Sequence, residues 1–189
     1  PAGIGGMAAV LGAEREALRQ LCADVSASVG QVELANVNCP GQIVVSGSRE
    51  GVEAIVGRGK EAGAKRVVPL EVSGPFHSSL MKPAAERLKE QLRHVSIKPA
   101  SVPVVANATA RPVREAEQAR SLLVEQVYSP VLWEDSVAWM IGEGGVDTFV
   151  EIGSGTVLSG LIKKIDKNVR VVTVNSMESL ESAALQLRA

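Results

Sequence analysis

The sequence has little of what marks several large classes of protein. Aromatics make up 3% of its 189 residues, with two Trp, two Phe and a single Tyr. That is too few rings for a platform on which bases stack. Cysteine occurs twice, at Cys22 and Cys39, with no metal-ligand spacing. Both read as free thiols in a reducing, cytoplasmic compartment, and no metal or bound cofactor is implied. Net charge is −1, so there is no overall basic footprint for nucleic acid or an anionic membrane. No apolar run reaches the length of a membrane span, and no signal peptide is visible. The glycines of Gly3-Ile4-Gly5-Gly6 fit neither a dinucleotide fingerprint nor a P-loop and read as a flexible entry.

What is present is a folded-type composition, 46% hydrophobic and 22% charged. The apolar mass is Val, Ala, Leu and Ile, as in α/β proteins with buried strands. A chain of this length buries a core without disulfide or metal staples. Apolar spacing predicts strands over 7–11, 31–38, 42–46 and 65–72 and helices over 14–29 and 49–62. Ser48 suits the N-cap of the second helix, Gly63 its end, and Asn38-Cys39-Pro40-Gly41 a turn between two hairpin strands. The order β-α-β-β-α-β is that of the ferredoxin-like split motif. Residues 1–72 are therefore expected to form a small ferredoxin-like subdomain. Residues 73–189 belong to a larger α/β subdomain. There, helices are expected over 79–94, 117–127, 133–141, 156–165 and 180–187, and strands over 102–107, 146–152 and 169–174, with residues 108–115 a polar loop. Alternating strands and helices imply a mainly parallel sheet.

Between the two lies Val72-Ser73-Gly74-Pro75-Phe76-His77-Ser78-Ser79-Leu80-Met81-Lys82-Pro83. Gly74 and Pro75 break the strand, so the chain turns there and His77 sits between a strand and a helix. Such a junction holds a side chain firmly yet leaves it accessible. Imidazole titrates nearest neutrality and is the commonest general acid/base. Read locally, His77 is either such a base or an ordinary histidine beside a turn. His94 falls at a helix end, where a cation suits the dipole, and has no catalytic assignment. The Gly153-Ser154-Gly155 turn opens a helix and is either an anion site or a tight strand-to-helix connection.

Six stretches in register make the chain recognisable. They are Gly6-Met7-Ala8-Ala9-Val10, Asn38-Cys39-Pro40-Gly41-Gln42-Ile43-Val44-Val45-Ser46-Gly47, Gly63-Ala64-Lys65-Arg66, the His77 stretch, Tyr128-Ser129-Pro130-Val131-Leu132-Trp133, and Glu151-Ile152-Gly153-Ser154-Gly155-Thr156-Val157-Leu158-Ser159-Gly160-Leu161. Together the sequence resembles the C-terminal part of the malonyl-CoA:acyl carrier protein transacylases. The resemblance implies an acyltransferase fold, with the ferredoxin-like subdomain inserted in a mainly parallel, hydrolase-like α/β subdomain. It also implies ping-pong transfer in fatty acid biosynthesis. A serine in G-x-S-x-G takes malonyl from malonyl-CoA and passes it to the phosphopantetheine thiol of acyl carrier protein. His77 matches the family's base, and Gln126 the position whose backbone carbonyl orients that base, in place of the acid of a Ser-His-Asp triad. Taken alone, Gln126 is a solvent-facing helix end. Phe76 matches the aromatic of malonyl-selective enzymes, where bulk crowds an α-methyl group, and otherwise reads as a core aromatic. Lys65 and Arg66, with Lys60 nearby, are candidates for docking an acidic carrier protein, against the plain reading of solvated charges.

No G-x-S-x-G occurs in the 189 residues. The resemblance also implies a Gly-Gln-Gly-Ser-Gln oxyanion loop and a carboxylate-binding arginine, which have no match here. The expectation is a fragment that carries the base without the nucleophile and is inactive alone. Such a piece is expected to expose apolar strand edges and associate. Two alternatives stand beside it: an acyltransferase piece of a polyketide synthase, and a non-catalytic module that binds carrier protein.

Overall fold

A computed structural model describes residues 3–188. Contacts divide the chain into a unit ending at Ser136 and a unit beginning at Val137. The first is built on a five-stranded sheet with strand order β4-β1-β3-β2-β7. Its strands are β1 (Gly5–Leu11), β2 (Val32–Cys39), β3 (Gln42–Ser48), β4 (Arg66–Leu70) and β7 (Val131–Leu132). The helices α1 (Arg15–Ser28) and α2 (Arg49–Arg58) complete the expected β-α-β-β-α-β order. β1, β2, β3 and β4 pair antiparallel, while β7 joins β2 in parallel.

Alternation along the strands sorts the side chains onto two faces. One face buries Ala8, Val10, Leu34, Ile43 and Val45 against Leu18, Leu21, Cys22 and Val25 of α1 and Val52 and Ile55 of α2. Each large side chain buried there contributes about 1.5–3 kcal/mol. The other face carries a smaller cluster, Met7, Ala35 and Val44. The hairpin between β2 and β3 turns on Pro40 and Gly41, with Gly41 at φ 72°. Proline followed by glycine in the left-handed region is the chemistry of a type II turn. The entry is less free than its glycines suggest, since Gly5 and Gly6 are already strand. A Cβ on Gly5 would lie 2.7 Å from Pro75 Cβ and 2.4 Å from Gly47 O. The glycine is required because Gly47 of β3 and Pro75 of the His77 turn leave no room for a side chain.

The rest of this unit comprises α3 (Lys82–Leu92), a short hairpin of β5 (Val104–Ala106) and β6 (Arg111–Val113), and α4 (Ala116–Gln126). β6 lies in the stretch expected to be loop. Three residues, one of them Pro112, give no alternation to read. α5 (Trp133–Gly142) follows β7, and its Asp135 accepts two bonds from the Arg15 guanidinium at the start of α1, the Nη1 bond at 2.9 Å. The second unit pairs β8 (Thr148–Ile152) and β9 (Arg170–Val174) in parallel, with α6 (Val157–Ile165) and α7 (Met177–Arg188). Val172, Val174 and Ala183 form its core cluster. Parallel pairing is thus found at β8–β9 and β2–β7, and the five-stranded sheet is otherwise antiparallel.

Candidate active site

The chain leaves β4 at Leu70 and must turn before a 3-10 turn at Ser79–Met81 leads into α3. Gly74, Pro75 and Ser78 are buried in that turn. The Phe76 N–H donates to Gly74 O at 3.0 Å, and the Ser78 hydroxyl to Pro75 O at 2.6 Å. One residue further, the Ser79 N–H donates to the Glu33 carboxylate at 2.8 Å, and the Ser79 hydroxyl bonds the same oxygen. The Gln31 carboxamide bonds the Ser79 hydroxyl in turn. Glu33 stands on β2, on the face opposite the α1–α2 core, so the sheet itself anchors the turn.

His77 is held at φ 56°. A non-glycine residue in the left-handed region costs about 1–2 kcal/mol and persists only where its surroundings over-determine it. Here the outlier aims a half-buried imidazole at the end of α4. His77 Nδ1 lies 3.0 Å from Gln126 O. A carbonyl only accepts, so Nδ1 carries the proton and donates it. Gln126 Nε2 also lies 3.5 Å from Nδ1. Two N–H groups do not bond, and the shorter contact to the carbonyl fixes the tautomer. Nε2 of His77 is left with its lone pair free, the form a general base needs. The carbonyl belongs to the last turn of α4.

The structure brings His77 and Gln126 together, and Phe76, the residue before His77, is 40% exposed. Lys65 and Arg66 are exposed where β4 begins. His94 is exposed just beyond α3. The Gln126 side chain does more than a solvent-facing helix end would. Its Nε2 donates to Ser129 O at 3.0 Å and Pro130 O at 3.4 Å. The role of Glu33 was not legible either, because it is 46 residues from Ser79 in sequence and no local pattern links them. As for the Gly153 turn, the start of α6 already has an anion. The Glu151 carboxylate accepts from the N–H groups of Leu158 at 3.1 Å and Ser159 at 2.8 Å, and from the Ser159 hydroxyl. Those bonds, the hydroxyl's first, hold its pKa below the ordinary glutamate value. Among the described residues no group of three or more His, Cys, Asp or Glu could hold a metal, and no helix is long and apolar enough to cross a membrane.

A ferredoxin-like sheet that anchors a strained turn, with an imidazole held in one tautomer, defines an α/β protein equipped to move a proton. Comparison with known proteins makes this specific. The family described as the acyl transferase domain matches residues 2–184, and the chain belongs to that family. The malonyl CoA-acyl carrier protein transacylase of Bacillus subtilis is 52% identical over 188 residues, which is 100% of this chain and 59% of that protein. The structure of the acyl-carrier-protein S-malonyltransferase of Burkholderia pseudomallei superposes with a TM-score of 0.92 at 42% identity, over 97% of this chain and 59% of that one. A malonyl-transacylase solved in complex with a type II PKS acyl-carrier protein gives 0.93 at 39% identity, over 98% and 60%. The chain therefore spans about three fifths of the length of the relatives it matches.

Proposed function

We propose that this chain is the base-carrying part of an S-malonyltransferase that moves malonyl from malonyl-CoA to the phosphopantetheine thiol of acyl carrier protein, in the cytoplasm and for fatty acid synthesis. Residues 1–72 form the small subdomain and 73–189 the C-terminal part of the large one. The observation that carries the reading is the His77 imidazole with Nδ1 donated to Gln126 O and Nε2 free. The kinship with malonyl transacylases supplies the substrates.

In this reading His77 Nε2 takes the proton of a serine hydroxyl as its oxygen attacks the malonyl thioester. The imidazolium returns that proton to the leaving coenzyme A sulfur. In the second half the pantetheine thiol gives its proton to Nε2, its sulfur attacks the acyl-serine ester, and the serine oxygen leaves with the proton. The Gln126 carbonyl faces the positive charge each time it forms. Phe76, next to the base, narrows the space for an α-substituent. Lys65 and Arg66 face the acidic carrier. No metal or resident cofactor is required. The serine is not supplied in a G-x-S-x-G among these 189 residues, and the chain alone is inactive.

The test is to express the complete open reading frame that encodes this chain and to measure malonyl transfer from labelled malonyl-CoA to holo carrier protein. Transfer is expected, His77→Gln is expected to lose about 10²–10⁴-fold in kcat, and the 189-residue chain alone to give none. A complete protein that folds and transfers no malonyl would sink the reading.

A further inference from the structure

The end of α4 determines which atom His77 meets. In a regular helix the carbonyl of residue 126 accepts the N–H of residue 130. Residue 130 is proline and has none. The preceding donors are spent elsewhere: the Ser129 N–H on Glu125 O at 3.0 Å, the Tyr128 N–H on Glu125 O at 3.1 Å, and the Val127 N–H on Val124 O at 3.3 Å. Gln126 O is thus left without a helical partner at the place where His77 Nδ1 reaches it at 3.0 Å. The Gln126 side chain then folds over the same turn, its carboxamide donating to Ser129 O and Pro130 O. Two acceptors on one nitrogen fix the amide's orientation and close residues 126 to 130 into a ring.

We propose that Pro130 and the Gln126 carboxamide are positioning residues for His77. The proline withholds the N–H that would capture the Gln126 carbonyl, and the carboxamide pins the turn so that this carbonyl stays aimed at Nδ1. The inference rests on His77 being the base, but it concerns a tautomer and is read without any turnover. If an N–H at residue 130 took the carbonyl, Nδ1 would lose its acceptor. The neutral ring would then revert toward the form protonated at Nε2, which free imidazole side chains favour, and the lone pair would point away from the reaction.

In the complete protein labelled with ¹⁵N-histidine, the imidazole signal that disappears in His77→Gln is that of His77. In the parent chain the unprotonated ring nitrogen of His77 is expected to be Nε2. In Pro130→Ala it is expected to shift largely to Nδ1. Lactic acid at position 130, placed by nonsense suppression, has the size of alanine with an ester oxygen in place of the N–H. It is expected to return the signal to Nε2, even though the ester weakens Ser129 O as an acceptor. Identical spectra for the alanine and lactate chains, or an alanine variant that keeps Nε2 unprotonated, would overturn the role of the proline. Circular dichroism checks that each variant is folded. Should the alanine chain not fold, Gln126→Met, which keeps length and loses the two bonds, carries the test. A shift toward Nδ1 is expected there, and an unchanged tautomer would remove the carboxamide from the proposal. Because the readout is a ring nitrogen, its failure is separate from any failure of malonyl transfer.

Discussion

At the scale of single residues, the chemistry gathers around a few side chains whose neighbours decide what they do. Phe76 directly precedes His77 and is 40% exposed, so it is not spent in a core. If it crowds an α-methyl group, Phe76→Ala raises kcat/KM for methylmalonyl-CoA relative to malonyl-CoA by about 10-fold or more, since one methyl is worth roughly 1–3 kcal/mol. Competition between the two thioesters in the complete protein measures this, and an unchanged ratio removes Phe76 from selectivity. Cys22 makes a prediction independent of function. Burial, with the charge of Glu33 adding to it, pushes its thiol from the ordinary 9.0 up to about 12. The unfolded chain therefore loses this proton before the folded one does. The stability tied to the neutral thiol is complete below pH 9 and is lost as pH rises toward 12. Between those limits Cys22→Ala is expected to flatten the fall in stability by up to about 1.4 kcal/mol per pH unit, measured by urea titration at each pH; parallel curves for the two chains would count against it. The turn that carries His77 was legible in the sequence because Gly74 and Pro75 announce it, whereas the assignment of His77 as a base came only from the family resemblance. The clasp made by the Gln126 side chain was not legible, since it depends on where a helix stops.

At the scale of elements, two acidic side chains do the same work. Glu33 of β2 receives the N–H and hydroxyl of Ser79 ahead of α3, and Glu151 of β8 receives those of Ser159 in the first turn of α6. A carboxylate on a strand thereby takes the unpaired N–H groups that start a helix. In the first case the element held in place carries the His77 turn. Glu33→Ala is expected to cost about 0.5–2 kcal/mol, the range of a lost cap, and to speed amide hydrogen exchange selectively over residues 73–81. Loss of stability without local exchange at the turn would mean that Glu33 supports the sheet and not the site. The strands of the five-stranded sheet were readable because each is half buried and alternates. β7 was not, because its two residues carry no period and pair only through tertiary contact. α7 starts three residues earlier than its apolar spacing shows. Ser176 and Ser179 exchange hydrogen bonds there, the Ser179 N–H to Ser176 Oγ at 3.1 Å and the Ser176 N–H to Ser179 Oγ at 2.9 Å. A serine pair at that spacing is a start signal that apolar periodicity does not register.

For the molecule as a whole, the surface bears on both partner choice and solubility. Lys65 lies exposed just before β4 and Arg66 exposed as its first residue, at an edge of the five-stranded sheet. Reversing both charges in the complete protein is expected to raise KM for carrier protein while leaving hydrolysis of malonyl-CoA unchanged, because such charges act mainly on the association rate. Equal losses in both reactions would place the defect in folding. The unit beginning at Val137 leaves large apolar side chains uncovered: Ile152 is 78% exposed, Val157 72% and Met177 72%. Among the described residues its sheet consists of β8 and β9, paired in parallel. Parallel sheets are found almost only with both faces covered, and an unpaired strand edge beside apolar side chains is a template for association. The 189-residue chain is therefore expected to self-associate as its concentration rises, with Ile152→Lys and Val157→Lys together lowering that tendency. Sedimentation velocity across a concentration series measures this directly. A chain that stays monomeric at the highest concentration would show that its own structure covers these residues in solution, and the case for apolar faces that seek a partner would fall.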